Sequence, residues 1–171
     1  MPKLLLITAS SPEIRNVRKS RFLSFQQITM PYLAARVPGG WEVIHLDEEA
    51  EEINWDIEAD VVGITFHTPS AYHAYEIAGR FRSRGVCVVL GGPHVTLMPE
   101  EASQQADVVF IGEAEELWEE FLTNFQAGLY QHVYQRTSAP TLENIPMARK
   151  DLFHRRDHTS AILPNFELRI N

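Results

Sequence analysis

The segment DVVGITFHTPSAYHAYEIAGRFRSRGVCVVLGG, residues 60–92, contains the pattern that assigns this chain to a class of folds. A continuous apolar run at residues 60–65 predicts a strand that is buried on both faces. The next apolar residues recur at helical spacing, and Ser70 can cap the start of this helix while Gly85 can close its end. A second apolar run at residues 86–90 predicts another strand. A strand, a helix and a strand in this order form a βαβ unit with parallel strands.

The same alternation of strands and helices extends to both sides of this segment. Apolar runs at residues 3–8 and 107–112 predict two further strands, and the alternating segment at residues 41–46 predicts a third, nearer an edge of the sheet. Helical patterns begin at Thr29, near Pro99 and after the fifth strand. The sequence therefore predicts an α/β fold, in which a doubly wound, five-stranded parallel sheet lies between two layers of helices.

Charge and cysteine content limit the classes of partner. The chain of 171 residues has a formal net charge of −8 at pH 7. An acidic chain lacks the basic surface that a nucleic acid or an anionic membrane requires, so neither is expected as a partner. Cys87 is the single cysteine, which rules out a disulfide within the chain and favours a cytoplasmic location. The apolar run at the N-terminus is too short for a membrane span, and it lacks the features of a signal peptide.

The loops that follow the strands should hold the functional residues. In open parallel sheets, ligands bind outside the carboxyl ends of the strands, at the point where the strand order reverses. Right-handed connections bring all these loops to one edge. The predicted loops at this edge are residues 9–22, 47–55, 66–70, 91–96 and 113–115.

Three of these loops contain residue types that suit a polar ligand. Hydroxyl groups follow the third strand, and glycines after the fourth strand would let a ligand approach the main chain. Gly112 and Glu113 follow the fifth strand, where the carboxylate could accept a hydrogen bond. Each feature also has a structural interpretation: Ser70 as a helix cap, Gly91-Gly92 as a tight turn, and the glutamates as partners of a helix dipole.

The histidines and the other motifs give little support for catalysis. His67 and His94 lie in predicted loops, where they could contact a metal or a ligand, although a hydrogen-bonding role is more common. His73 is predicted on the exposed side of its helix. The sequence contains no dinucleotide-binding, P-loop or nucleophile-elbow motif. Cys87 lies within a predicted strand, which indicates an inert thiol.

Three motifs, each after a strand, resemble those of a known family. They are GITFHT at residues 63–68, GGPH at 91–94 and GEAE at 112–115. In this order they resemble the N-terminal cobalamin-binding domain of the cobalamin-dependent radical S-adenosylmethionine (SAM) enzymes, whose fold is flavodoxin-like. The segment LENIPMARKDLF, residues 142–153, is similar to the linker before the catalytic domain of that family. The resemblance covers roughly residues 1–163.

The resemblance implies a cofactor site for cobalamin, with no catalytic and no metal-ligating residue from this chain. The implied cofactor-binding residues all lie after the third, fourth or fifth strand: Thr65, Phe66, His67, Thr68, Ser70, Gly91, Gly92, Pro93, His94, Gly112 and Glu113. The hydroxyl residues would line a slot for the nucleotide tail. The glycine pair would let the tail or the corrin edge pass, and Gly112 with Glu113 would close the other side. The role of His94 stays open between cofactor contact and support of its loop.

The sequence departs from other cobalamin proteins in the loop after the first strand. Methionine synthase and the mutases carry D-x-H-x-x-G there, and its histidine is the lower ligand of cobalt. Residues 9–22 of this chain contain no histidine. We therefore expect cobalamin to bind with its own base off the cobalt and with no ligand from this loop.

The catalytic half of the cobalamin-dependent radical SAM enzymes requires cysteines that this chain lacks. Those enzymes hold a [4Fe–4S] cluster and SAM through C-x-x-x-C-x-x-C, whereas Cys87 is the only thiol here. We expect residues 1–135 to form the cobalamin-binding domain. Residues 136–171 are expected to be a linker and tail toward a radical SAM domain of methyltransferase or cyclase type, which would be a further partner. Whether the chain is a fragment or a stand-alone carrier is left open.

Two alternatives remain from the sequence: a flavin- or nucleotide-binding α/β domain, and an interaction module without a ligand. The cobalamin interpretation predicts that Gly92→Val weakens cofactor binding far more than it weakens folding. Survival of binding in that variant would instead favour the simple turn.

Overall fold

The computed structural model describes residues 1–18, 27–136 and 146–153. Within these residues, six parallel strands form one sheet: β1 (Lys3–Thr8), β2 (Glu42–Asp47), β3 (Val61–Thr65), β4 (Cys87–Gly91), β5 (Val108–Ile111) and β6 (Val133–Gln135). The helices are α1 (Pro12–Arg18), α2 (Thr29–Ala34), α3 (Ala71–Arg82), α4 (Pro93–Leu97), α5 (Pro99–Ser103) and α6 (Glu115–Ala127). Short 3₁₀ turns occupy Thr68–Ser70 and Lys150–Leu152.

The strand order is β2-β1-β3-β4-β5-β6, which is a flavodoxin-like arrangement with one added edge strand. The five predicted strands and the α/β class are confirmed. The prediction of five strands was nevertheless one too few. The sixth strand is three residues long, and only Tyr134 in it is buried. Such a short segment has no detectable period, and its place is set by pairing with β5 and by the stacking of Tyr134 on Phe110.

Each face of the sheet has its own apolar core, as three layers require. One core lies under α3 and α5, where Ile77 and Phe81 are fully buried. The other lies under α2 and α6, where Trp118 and Phe121 are buried. Consecutive strand residues point to opposite faces, so each buried strand contributes to both cores.

The long helices form where their apolar spacing predicts, but one predicted cap is absent. α6 ends at Ala127, and Gly128 directly after it has a φ of 70°, the left-handed conformation that closes many helices. Ser70 precedes α3 but makes no side-chain capping bond. Its hydroxyl instead accepts a hydrogen bond of 3.1 Å from the backbone nitrogen of Ser11. The prediction that Ser70 caps α3 was therefore wrong, because the loop after β1 uses this hydroxyl.

Part of the predicted linker packs against the sheet domain. The backbone nitrogen of Arg149 donates to the carbonyl of Pro31 at 2.9 Å, and His45 Nδ1 lies 3.0 Å from the carbonyl oxygen of Leu152. Leu152 also contacts the core under α2 and α6. Residues 137–145 and 154–171 of the predicted tail lie outside the described residues. They include TSAIL at residues 159–163, an apolar segment that the sequence offers as the start of a further strand. None of the helices in the described part of the chain has the length and apolarity that crossing a membrane requires.

Two glycines, Gly63 in strand β3 and Gly79 in helix α3, allow a matched test of how tightly the side chains pack around the sheet. A Cβ on Gly63 would lie 3.1 Å from Leu6 Cδ2 and 3.2 Å from Trp118 Cη2, whereas a Cβ on Gly79 of α3 would meet nothing within 4 Å. Gly63→Ala should therefore lower the free energy of unfolding by about 1–3 kcal/mol through overpacking. Gly79→Ala should raise it by about 0.5–1 kcal/mol, because alanine is the better helix former. Urea denaturation of both variants measures the difference, and equal effects would contradict the packing around Trp118.

Candidate functional site

A cavity of about 560 Å³ opens at the carboxyl edge of the sheet, on the face that α2 and α6 cover. Its walls come from the ends of β3, β4 and β5 and from these two helices. The cavity exists because the strand residues that point to this face are small near the carboxyl edge. Gly63, Thr65 and Gly91 occupy positions where larger side chains would fill the space between the helices.

The interior of the cavity is apolar and buried. Seven buried residues line it, and one of them, Ile64, has its side chain in the opposite core; we call the other six the interior residues: Met30, Leu33, Gly63, Val89, Phe110 and Trp118. Gly63 pairs in register with Val89, so the two form the deepest level of the strand wall. One polar side-chain atom belongs to this set, Trp118 Nε1, which has no hydrogen-bond partner among the described residues.

The opening of the cavity is polar and more exposed. We call its mouth residues Thr65, Gly92, Thr96, Gly112 and Glu113, none of which is fully buried. The Thr96 hydroxyl connects two of the loops: it donates to the carbonyl of Gly92 at 3.1 Å and accepts from the nitrogen of Gly112 at 3.0 Å. The loops after β4 and β5 are thus held together beside the opening.

Comparison with known proteins identifies the family of this chain. The family model of the B12 binding domain matches residues 15–122. The chain belongs to the B12-binding domain family. A bacteriochlorophyllide d C-8(2)-methyltransferase of Chlorobaculum tepidum is 42% identical over 95 residues, which are 56% of this chain and 21% of that protein. The bacteriochlorophyllide d C-12(1)-methyltransferase of the same organism is 36% identical over 100 residues, 57% of this chain and 22% of that protein.

The B12-binding domain thus spans about a fifth of the length of the curated relatives it matches. Among solved structures, the N-terminal domain of a hypothetical protein of Thermotoga maritima aligns with 52% of this chain and 76% of its own length. The sequence identity is 26% and the TM-score is 0.41.

The structure brings six of the eleven predicted cofactor-binding residues of this B12-binding domain to the cavity. These six line it directly: Thr65, Gly91, Gly92, Pro93, Gly112 and Glu113. The other five, Phe66, His67, Thr68, Ser70 and His94, are not in its lining. The separation follows from strand alternation, because Thr65 points to the α2 and α6 face and Phe66 to the opposite core.

His94 of the B12-binding domain lies outside the cavity lining and holds the loop after β4 in place from the opposite face of the sheet. The residue is 4% exposed, Nδ1 lies 3.1 Å from Thr68 Oγ1, and Nε2 lies 3.1 Å from Tyr75 Oη. The ring also contacts Phe66, at a centroid distance of 5.5 Å. These contacts fix the loop after β4 against the loop after β3. Among the described residues, no group of three histidine, cysteine or acidic side chains could hold a metal ion.

A buried carboxylate anchors the loop after β1. Glu48 Oε2 accepts a hydrogen bond of 3.0 Å from the nitrogen of Ser10 and lies 2.8 Å from His73 Nε2. The side chains of Glu48 and His73 are 3% and 20% exposed. His73 was expected on the exposed side of α3, and this was wrong because the partner is distant in sequence.

Burial raises the pKa of the Cys87 thiol to about 12, in agreement with the predicted inert cysteine.

Sequence reasoning missed the interior residues, although a signal for three of them was present. Gly63, Val89 and Phe110 each lie two positions before a predicted site residue in the same strand or its loop. Side chains two apart share a face of a strand, so the alternation rule could have identified them. Met30 and Leu33 had no such signal, because the position of α2 over the sheet is a tertiary property.

The structure also corrects the expectation for Gly92→Val. Gly92 has a φ of 100°, and a Cβ there would lie 2.5 Å from Thr65 Oγ1 and 3.2 Å from the carbonyl oxygen of Phe66. The backbone itself therefore requires glycine, and a side chain would disturb folding as well as binding. Gly91 is the informative position instead, because a Cβ on it meets only Phe110 Cβ, at the ordinary distance of 3.7 Å.

Alanine at each of the two adjacent glycines should thus have different effects on stability. Gly92→Ala should lower the free energy of unfolding by at least about 2 kcal/mol, from backbone strain and the clash with Thr65. Gly91→Ala should change it by less than about 1 kcal/mol, since alanine fits that strand position. Thermal and urea denaturation measure both values. A tolerated alanine at position 92 would contradict the left-handed conformation of this loop.

Proposed function

We propose that this chain binds cobalamin with the nucleotide tail in the cavity and the corrin ring over the carboxyl edge of the sheet. The observation that supports this most is the apolar cavity at that edge, beside Gly91, in a chain of the B12-binding domain family. Its volume of about 560 Å³ lies within the range of about 300–1,000 Å³ that is typical of small-molecule sites. A whole cobalamin is larger than this, so only a part of it would enter.

The residues present fit an aromatic base on a sugar phosphate. The interior residues offer apolar contact for a flat ring, and Gly91 leaves free the space that a larger side chain would fill. The mouth residues offer the Thr65 hydroxyl and the exposed Glu113 carboxylate for ribose hydroxyl groups. Thr68, Ser70 and His94 would act indirectly, through the loops that they hold in place.

The base of the tail would be displaced from cobalt in this arrangement. A base that is buried in the cavity is not available as the lower ligand. The loop after β1 contains no histidine that could replace it. His94 has both ring nitrogens within hydrogen-bond distance of other side chains, and His67 does not line the cavity.

The chain would bind and orient the cofactor without catalysis of its own. Cobalamin, when bound, supplies the cobalt-centred methyl-transfer chemistry that enzymes using this cofactor perform. The two Chlorobaculum relatives are methyltransferases, and by resemblance we place this chain beside a radical SAM catalytic domain. That domain would have to provide the [4Fe–4S] cluster and the SAM site, because Cys87 is the only thiol here.

Titration with hydroxocobalamin tests the proposal. The wild-type chain should bind it saturably at micromolar protein, with a change in the visible spectrum. Gly91→Leu should bind at least tenfold more weakly, which is about 1.4 kcal/mol, because the leucine would extend into the cavity. Gly79→Leu, on the exposed side of α3, is the matched control and should bind like the wild type.

Three results would contradict the proposal: no corrinoid binding by the folded wild type, equal binding by Gly91→Leu, or tighter binding of FMN or a nucleotide sugar. Circular dichroism and denaturation of each variant separate a loss of binding from a loss of folding.

A further inference from the structure

We infer that Glu115 and Trp118 recognise the nucleotide of the cofactor: the indole N–H of Trp118 donates to the free ring nitrogen of the base, and the carboxylate of Glu115 accepts from a ribose hydroxyl group. We call these two residues the α6 pair. The inference rests on the proposed function and adds two specific contacts to that site. The observation behind it is that each residue has a buried polar atom without a partner among the described residues.

Both members of the α6 pair line the cavity, and each leaves a hydrogen-bonding group unused. Trp118 is 1% exposed, and its Nε1 has no hydrogen-bond partner in the described part of the chain. Glu115 is partly exposed as a residue, but its Oε2 is buried and likewise without a partner there. Buried donors and acceptors in proteins are nearly always paired. A donor and an acceptor left unpaired in one cavity therefore indicate a ligand that supplies both partners.

The fold places the two groups at different depths. Helix α6 runs from the carboxyl edge of the sheet toward the amino edge, because it follows β5 and its Phe125 contacts Trp41 just before β2. Glu115 begins the helix close to the mouth, and Trp118 lies three residues further, about 4.5 Å along the helix axis. Residues three apart share a face of a helix, so both side chains can contact one ligand.

The indole ring of Trp118 has a fixed position against the strands. Its Cη2 and Cζ2 atoms lie 3.2 and 3.9 Å from the position of a Cβ on Gly63, and Nε1 is two bonds from Cζ2. The ring also packs on Phe110 and Phe121, each at a centroid distance of 5.4 Å. The N–H is thus held near the glycine of the strand wall, at the level of the interior residues.

The nucleotide of cobalamin has the complementary groups in the same order. A dimethylbenzimidazole base that is off the cobalt has one ring nitrogen with a free lone pair, which accepts a hydrogen bond. The ribose attached to the base has a hydroxyl group that can donate to a carboxylate, and such a charge-assisted hydrogen bond is stronger than a neutral one. With the base in the interior, Trp118 would bind the ring nitrogen. Glu115, nearer to the mouth, would bind the sugar.

A purely structural role for Glu115 is the alternative. A glutamate in the first turn of a helix is stabilised by the helix dipole, and α6 has Glu115 and Glu116 there. That role does not require a buried oxygen atom, and it would change the stability of the chain without changing its affinity for a ligand. Binding measurements therefore distinguish the two roles.

Two corrinoids that differ in the base test the contact of Trp118. The phenolic base of p-cresolylcobamide has no ring nitrogen. Trp118→Phe, which keeps an aromatic ring but has no N–H, should weaken hydroxocobalamin binding at least fivefold, about 1 kcal/mol, and p-cresolylcobamide binding less than twofold. Trp41→Phe is the matched control and should leave both affinities unchanged. Trp41 Nε1 is also buried without a partner among the described residues, but it lies outside the cavity lining.

Glu115→Gln tests the second contact. The side chain keeps its shape, but a neutral acceptor makes the weaker hydrogen bond, so both corrinoids, which share the ribose, should bind about threefold more weakly or worse. Glu119→Gln makes the same change at an exposed position of α6 and should leave both affinities as they are. The two members of the α6 pair thus predict different patterns: loss for one corrinoid at Trp118 and for both at Glu115.

The wild-type chain offers a measurement that does not depend on the folding of a variant. In a ¹⁵N-labelled chain, the assigned indole proton resonance of Trp118 should move downfield on saturation with hydroxocobalamin, because the proton enters a hydrogen bond. Saturation with p-cresolylcobamide, which would place an aromatic ring without a nitrogen in the cavity, should not produce this downfield shift.

The outcomes separate this inference from the proposed function. If hydroxocobalamin does not bind to the folded wild type, the proposed function fails and the inference fails with it. If it binds, the inference alone is overturned by any of three results: an equal effect of Trp118→Phe on the two corrinoids, unchanged binding by Glu115→Gln, or the same indole shift with both corrinoids. Circular dichroism of each variant shows that it is folded.

Discussion

The alternation of side chains across the parallel sheet is the constraint on which the site depends. Residues 63 and 65 of β3 and residues 89 and 91 of β4 point to one face, in register with each other. Two of these four are glycine and one is threonine, so their side chains leave space unfilled between the sheet and helices α2 and α6 at the carboxyl edge. The cavity is therefore built into the sequence of the strands, and the helices complete it.

The opposite face of the same edge is closed and hydrogen-bonded. Phe66 fills the core there, and His94 connects the loops after β3 and β4. Glu48 holds the start of the loop after β1 through the nitrogen of Ser10. A buried carboxylate is stable only where it is paired and hydrogen-bonded, which explains why His73 lies beside it. This rigid face fixes the backbone that forms the wall of the cavity on the other side.

Much of the fold could be predicted from the sequence, because four strands are continuous apolar runs and one alternates, and the predicted ends differ from the observed ones by one residue or less. The loops at the carboxyl edge followed from topology alone. It was harder to foresee that the predicted site residues lie on two different faces of the sheet. Thr65 and Phe66 are adjacent in sequence but face different cores, and His94 points away from the cavity because Thr68 and Tyr75 bind it. The contribution of α2 and the pairing of β6 depend on contacts between distant parts of the chain.

The central claim is that the base of the cofactor occupies the cavity and is not bound to the cobalt. Low-temperature EPR of the complex with cob(II)alamin tests this most directly, because a nitrogen ligand splits the cobalt lines into triplets. We predict a spectrum without nitrogen superhyperfine splitting when the chain is saturated with cofactor. Clear triplets in the bound state would contradict the claim, since either the base or a histidine would then be on the cobalt.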